Sequence, residues 1–370
     1  VRIPRFELYL AVAGGVLVSA AAALRFLGGD PVTTFAVAAS SIIPLSHFMG
    51  LGTEELGKHA GPGIGGLLNA SFGNATELII AVFAILAGPQ LYDVVRASLT
   101  GSIIGNILLI LGLSMLVGGL RYPRQTFGRQ AATTRSTMMA LAVVALLTPS
   151  VAFYSLSFRG APPEALGFLA PLSEEIAFIL LVAYGLGLLF SLRTHRHLFN
   201  PLRDVEESEE DKPKWSVRFA LLVLLGATAL VSVASEVLVH TLEDIIQGTG
   251  LNELFVGVIV VAVIGNAAEH SSAIHMAWKN RMELSVGIAT SSSIQIALFV
   301  APILVLVSAL LPGGPLTLTF ELFELLAIVL ATAVVNMVSS DGESNWYEGA
   351  LLVLVYVIIA IGFYFHPPIP

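Results

Sequence analysis

Apolar runs of about twenty residues follow one another along almost the whole chain, and no other feature narrows its fold so far. An α-helix rises about 1.5 Å per residue, so a run of roughly 20 crosses the hydrocarbon core of a bilayer. Measured this way, eleven candidate spans are found at residues 8–27, 32–56, 63–87, 91–120, 137–153, 171–192, 216–246, 253–278, 284–311, 318–338 and 347–365. Only 12% of the 370 residues are charged and 56% are hydrophobic, against about 25% charged in an ordinary soluble domain. So few charges cannot cover a soluble body of this size. The expected fold is an all-α polytopic membrane protein, and a cytosolic enzyme, a nucleic-acid binder and a disordered protein are excluded. The first run lacks the pattern of a removable leader and is expected to stay in the membrane. With no cysteine, the chain has neither disulfides nor thiolate metal sites.

The basic residues test the count. If eleven helices alternate across the bilayer, 15 of the 18 Lys and Arg fall on one side, leaving Arg25, Arg96 and Arg159 on the other. By the positive-inside rule the N-terminus is cytoplasmic and the C-terminus outside. The compact loops suit a prokaryotic plasma membrane.

Internal repetition organises the spans. Gly73-Asn74-Ala75-Thr76-Glu77 returns 192 residues later as Gly265-Asn266-Ala267-Ala268-Glu269. Flanking segments follow in the same order, Ser46-His47 with Ser235-Glu236 before the motif and Gly101-Ser102 with Ser291-Ser292 after it. The chain therefore divides into a leading helix (1–31), a first five-helix repeat (32–192), a cytoplasmic acidic linker (193–215) and a second five-helix repeat (216–370). An odd number of helices per repeat forces the second to enter the membrane from the opposite face. This is the inverted plan of secondary transporters, whose substrate site lies at mid-membrane between the repeats.

Glu77 and Glu269 sit near the middle of their spans. A central acidic residue costs about 2.5–3.5 kcal/mol even on the gentlest insertion scale, so each is a functional candidate facing protein or water. Asn74 and Asn266 precede them by three residues and share their helix face. Gly73 and Gly265 permit a local break in the helix or a close approach by another. Ser46, Ser102, Asn106, Ser235, Ser292 and Gln295 on neighbouring spans could add oxygens to a polar cavity, with His47 and Glu236 beside them. His270 follows Glu269 directly but has Leu78 as its counterpart in the first repeat. Glu54 and Glu55 read as a solvated helix end. Oxygen donors without thiolates favour a hard cation such as calcium. Two carboxylates neutralise one divalent ion, and two protons neutralise the same pair once the ion has left. That equivalence points to exchange, with Glu77 and Glu269 carrying cation and protons in turn.

The segments GNATELII (73–80), GNAAEHSSA (265–273), SSIQIALFVAP (292–302) and DGESNWYEG (341–349) resemble the cation/proton (Ca²⁺/H⁺) exchangers of the calcium/cation antiporter superfamily. The resemblance covers residues 32–365. It implies eleven helices, one leading plus two inverted fives, with Glu77 and Glu269 as the essential carriers and backbone carbonyls near Gly73 and Gly265 as further ligands. Sodium/calcium exchangers of the superfamily carry GTSxPE-type segments instead, which implies protons as the counter-ion here. The expected activity is export of Ca²⁺ from the cytosol in exchange for H⁺ by alternating access, without enzymatic chemistry, cofactor or nucleic-acid partner. The alternatives are a sodium-coupled or manganese-preferring exchanger of the same fold, a passive cation channel, and an intramembrane metal-dependent hydrolase using Glu269, His270 and His275.

Overall fold

The computed structural model of the chain describes residues 5–195 and 212–367. The acidic run at 206–211, and with it most of the expected linker, lies outside the described residues. Apart from a two-stranded ribbon the regular structure is helical: α1 (Arg5–Phe26), α2 (Pro31–Phe72), α3 (Ala75–Ala87), α4 (Tyr92–Ile104), α5 (Leu111–Arg121), α6 (Arg129–Ser157), α7 (Leu169–Leu189), α8 (Val217–Thr249), α9 (Glu253–Phe255), α10 (Ala262–Gly265), α11 (Ala267–Trp278), α12 (Met282–Gln295), α13 (Ala301–Ala309), α14 (Leu322–Val338) and α15 (Trp346–Phe365). Among the described residues eight helices are long and apolar enough to cross a membrane: Arg5–Phe26, Pro31–Ala60, Pro89–Arg121, Arg129–Ser157, Glu164–Thr194, Val217–Thr249, Met282–Ala309 and Trp346–Phe365. A further span, Glu253–Gly265 with Ala267–Trp278, is bent by 63° at its break, and Ala75–Ala87 and Leu322–Val338 are shorter apolar helices.

The termini of these helices follow from local chemistry. Asp30 caps α2 by accepting the Thr33 N–H, with Pro31 in the first helical position. Ser216 caps α8, and Asn345 caps α15 by accepting the Tyr347 and Glu348 N–H groups. Each end thereby satisfies donors that the helix itself leaves unpaired.

The chain forms two compact units, each drawn from both halves of the sequence. The first comprises the described parts of residues 1–83 and 188–251, together with 264–268. In it α1, α2 and α8 pack side by side. Gly52 lies against Ala220 and Leu224, while Glu55 meets Lys214 and Trp215. Later residues of α2 thus meet earlier residues around α8, so the two helices run antiparallel. Near its end α2 doubles back: a methyl carbon on Gly65 would stand 2.6 Å from the Gly57 carbonyl oxygen. In a straight helix eight residues cover about 12 Å, so the run folds sharply between them. Glu55 is not a solvated helix end. It is 5% exposed, accepts the backbone N–H groups of Lys214 (2.7 Å) and Trp215 (2.8 Å), and pairs with Lys58.

The second unit holds residues 84–187, 252–263 and the described part of 269–370. Two backbone crossings fix it. On α4, Gly101 lies directly on the Val258 carbonyl, and a methyl carbon on Gly349 of α15 would stand 2.6 Å from the Gly112 carbonyl of α5. No side chain fits at either crossing. The ribbon pairs β1 (Gln125–Thr126) with β2 (Glu343–Ser344), reinforced by the Arg124–Glu343 ion pair and by Gln125 Nε2 donating to the Ala277 carbonyl at 2.9 Å. The DGESNWYEG segment is thereby accounted for as a turn, a ribbon strand, a helix cap and a close-packed glycine. Between α4 and α5, and again between α12 and α13, the helix passes through a π-helical stretch, Gly105–Ile110 and Ile296–Val300.

Candidate functional site

The first motif lies in the first unit. The chain leaves α2 through Gly73, whose N–H donates to Asn69 O at 2.8 Å, and turns at Asn74 into α3. Glu77 falls in the first turn of that short helix, where the N-terminal end of the dipole favours a carboxylate. Asn74, Thr76 and Glu77 are all buried. The beginning of the second motif reaches the same unit. Gly265 lies so close to Glu77 that a methyl carbon on it would stand 3.0 Å from Glu77 Cγ, and Asn266 beside it is buried. Any larger residue at 265 would require the Glu77 side chain to give way. Gly265 also sits at the 63° break between α10 and α11, with Asn266 as the turn residue.

Glu269 belongs to the second unit and repeats the placement of Glu77, in the first turn of α11. Ser292 on α12 hydrogen-bonds its carboxyl. Asn106 Nδ2, on the π-helical stretch after α4, donates to Ser292 Oγ at 3.0 Å. The Ser293 hydroxyl donates to the Ile103 carbonyl at 3.1 Å and holds α12 on α4 beside this chain of contacts. The second carboxylate oxygen of Glu269, Oε2, is buried with no hydrogen-bond partner among the described residues. A buried acceptor without a donor is costly. A bound cation or a proton on that oxygen would remove the cost.

The remaining candidates separate. Ser102 is buried on α4 one turn before Asn106, and Gln295 is the last residue of α12. Ser46 is buried and donates to its own helix at Ile43 O, while Ser235 is buried in α8 with no hydrogen-bond partner among the described residues. His47 turns to the leading helix, its Nε2 standing 3.2 Å from Glu7 Oε2. Glu236 pairs with Arg25 at 2.9 Å and is half exposed. His270 is half-buried in the first turn of α11, with His275 in the last. Among the described residues no group of three or more His, Cys, Asp or Glu is placed to hold a metal ion. The hydrolase alternative therefore finds no third ligand there.

One buried carboxylate escaped the sequence reading. Glu324, in the first turn of α14, is 1% exposed. The criterion that singled out Glu77 and Glu269, an acid inside an apolar run, applies to it equally.

The profile of the sodium/calcium exchanger protein family matches residues 31–193 and 219–365. A protein of Bacillus subtilis named Ca²⁺/H⁺ antiporter ChaA is 46% identical over 354 residues, covering 94% of this chain and 98% of its own. A Ca²⁺/H⁺ antiporter of Aphanothece halophytica is 44% identical over 357 residues, covering 94% of each. The solved structure of native YfkE superposes with a TM-score of 0.79 at 40% identity, covering 96% of this chain and all of the other.

Proposed function

The chain belongs to the sodium/calcium exchanger protein family, and on that premise we propose that it is a multi-pass membrane antiporter that exchanges Ca²⁺ for H⁺. The observation that carries this reading is the pair of Gly-Asn-x-x-Glu turns. Each places a glutamate in the first turn of a short helix, and Glu269 Oε2 is buried there without a hydrogen-bond partner among the described residues. The relatives' names, at 44% and 46% identity over 94% of the chain, supply the ions.

Glu77 and Glu269 together bind Ca²⁺, supported by Asn74, Asn266 and carbonyls at the Gly73 and Gly265 breaks, and each takes up a proton when the ion leaves. The empty, doubly ionised pair is too costly to carry through the barrier, which makes the exchange obligatory. Eleven spans, one leading and two inverted fives, agree with the two stretches matched to the family and with the antiparallel course of α2 and α8, the first helices of those stretches. Alternating access then moves Ca²⁺ out of the cytosol across a bacterial plasma membrane.

In proteoliposomes an imposed pH gradient should drive ⁴⁵Ca²⁺ uptake in the presence of choline without sodium, and either Glu77→Gln or Glu269→Gln should reduce it to the level of empty liposomes. Uptake persisting in both variants would overturn the assignment of the carriers. Uptake that follows a sodium gradient and ignores pH would overturn the counter-ion.

A further inference from the structure

Protons bound for a buried carboxylate need a route, and the second unit contains a buried acid outside the two Gly-Asn-x-x-Glu motifs. Glu324 Oε1 accepts the Thr100 hydroxyl of α4 at 2.9 Å, and Oε2 accepts the Glu321 backbone N–H at 2.8 Å. Glu321 completes a reciprocal capping box with Glu324 and receives the Tyr154 hydroxyl of α6 at 3.0 Å. Glu321 is only half-buried, whereas Glu324 is 1% exposed. The two acids thus step from the protein's edge to its interior within a single helical turn.

Capping alone does not explain an acid here. A capping box is served by glutamine as well as by glutamate, and glutamine would carry no ionisable group into an apolar core. The charged and titratable groups that face Glu324 are Arg96 on α4, itself paired with Asp93, Glu321 on its own helix, and Tyr154 on α6. On the inner side Thr100 lies six residues before Asn106, about 9 Å along the helix axis and about a third of a turn away around it. Asn106 bonds to Ser292, and Ser292 to Glu269.

We propose that Glu324 is a proton-carrying station between the outer end of α14 and Glu269, on a path separate from the one the cation takes. A proton passes from the Glu321 carboxyl to the Glu324 carboxylate and on past the Thr100 hydroxyl. Each carboxylate is regenerated as the proton leaves, so one H⁺ enters and one H⁺ arrives. The inference rests on the Ca²⁺/H⁺ reading.

The test compares two transport modes in the same liposomes: pH-driven Ca²⁺ uptake, which moves protons, and isotopic ⁴⁵Ca²⁺/Ca²⁺ exchange, which moves none. Glu324→Gln and Thr100→Val should each lower the ratio of the first to the second at least tenfold, and Glu324→Asp should restore part of it. A ratio unchanged in both Glu324→Gln and Thr100→Val overturns the proposal. So does an equal fall in both modes, which would make Glu324 a cap and nothing more. If Glu324→Gln does not fold, Thr100→Val decides, since it removes the hydroxyl and leaves the capping box intact. A wild-type protein without pH-driven uptake would defeat the Ca²⁺/H⁺ reading itself.

Discussion

The smallest contacts around the two glutamates differ, and so do the effects expected from changing them. Ser292 links Glu269 to Asn106. Removing a hydrogen bond to a charged group costs about 1.5–3 kcal/mol, so Ser292→Ala should raise the Ca²⁺ concentration for half-maximal exchange by about tenfold or more, as measured by ⁴⁵Ca²⁺ uptake against concentration. Gly265→Ala brings a methyl group to 3.0 Å from Glu77 Cγ, closer than most real contacts, so the carboxylate must shift. Exchange should fall severalfold while the purified protein keeps its melting temperature. At this scale the sequence was informative where chemistry is local. The Gly-Asn turn and the acid three residues later are written in five consecutive letters. The partners of Glu55, His47 and Glu236 are not, because they come from segments 159, 40 and 211 residues away. Nothing in the neighbourhood of Glu55 announces that two distant backbone N–H groups will close over it.

Among elements, the crossings between helices decide what can be altered. At Gly101 the α4 backbone touches the Val258 carbonyl, so Gly101→Val must force the helices apart. Its cost exceeds the 1–3 kcal/mol of an ordinary overpacked site, and the variant should yield little monodisperse protein in detergent by size-exclusion chromatography. Glu55 joins elements differently, as a buried acceptor on α2 that fastens the entry of α8 to it. Glu55→Ala strips two N–H groups of their acceptor, at about 1–3 kcal/mol each if water does not replace it. Thermal unfolding in detergent should register this as a clear drop in melting temperature. The positions of most helices were legible from their apolar runs. The fold-back in α2 falls in the gap between the expected spans 32–56 and 63–87 and was legible too; the π-helical stretches were not, because they break the helical repeat within segments whose hydrophobicity gives no sign of interruption.

For the molecule as a whole, the prediction that separates the proposed topology from its rivals uses the absence of cysteine. A single introduced thiol is then the only one present. Ser208→Cys, in the linker, should react with an impermeant maleimide only from the cytoplasmic face, and Gly160→Cys, between α6 and α7, only from outside. Labelling of both from one side would mean an even number of crossings between them and would remove the inverted plan. The global arrangement was legible to the extent that repetition and charge placement constrain it. What they do not disclose is that each compact unit takes its helices from both halves of the chain.

The π-helical stretches that follow α4 and α12 have a mechanical meaning. Each stores one residue more than the α-helical repeat requires, like slack held in a ribbon. Passing that slack along by a single position leaves the helix continuous, yet swings every side chain it passes by about 100° around the axis. Asn106 lies within the first such stretch and Gln295 borders the second. Both amides could therefore be turned towards or away from a passenger ion by a ripple that unwinds nothing.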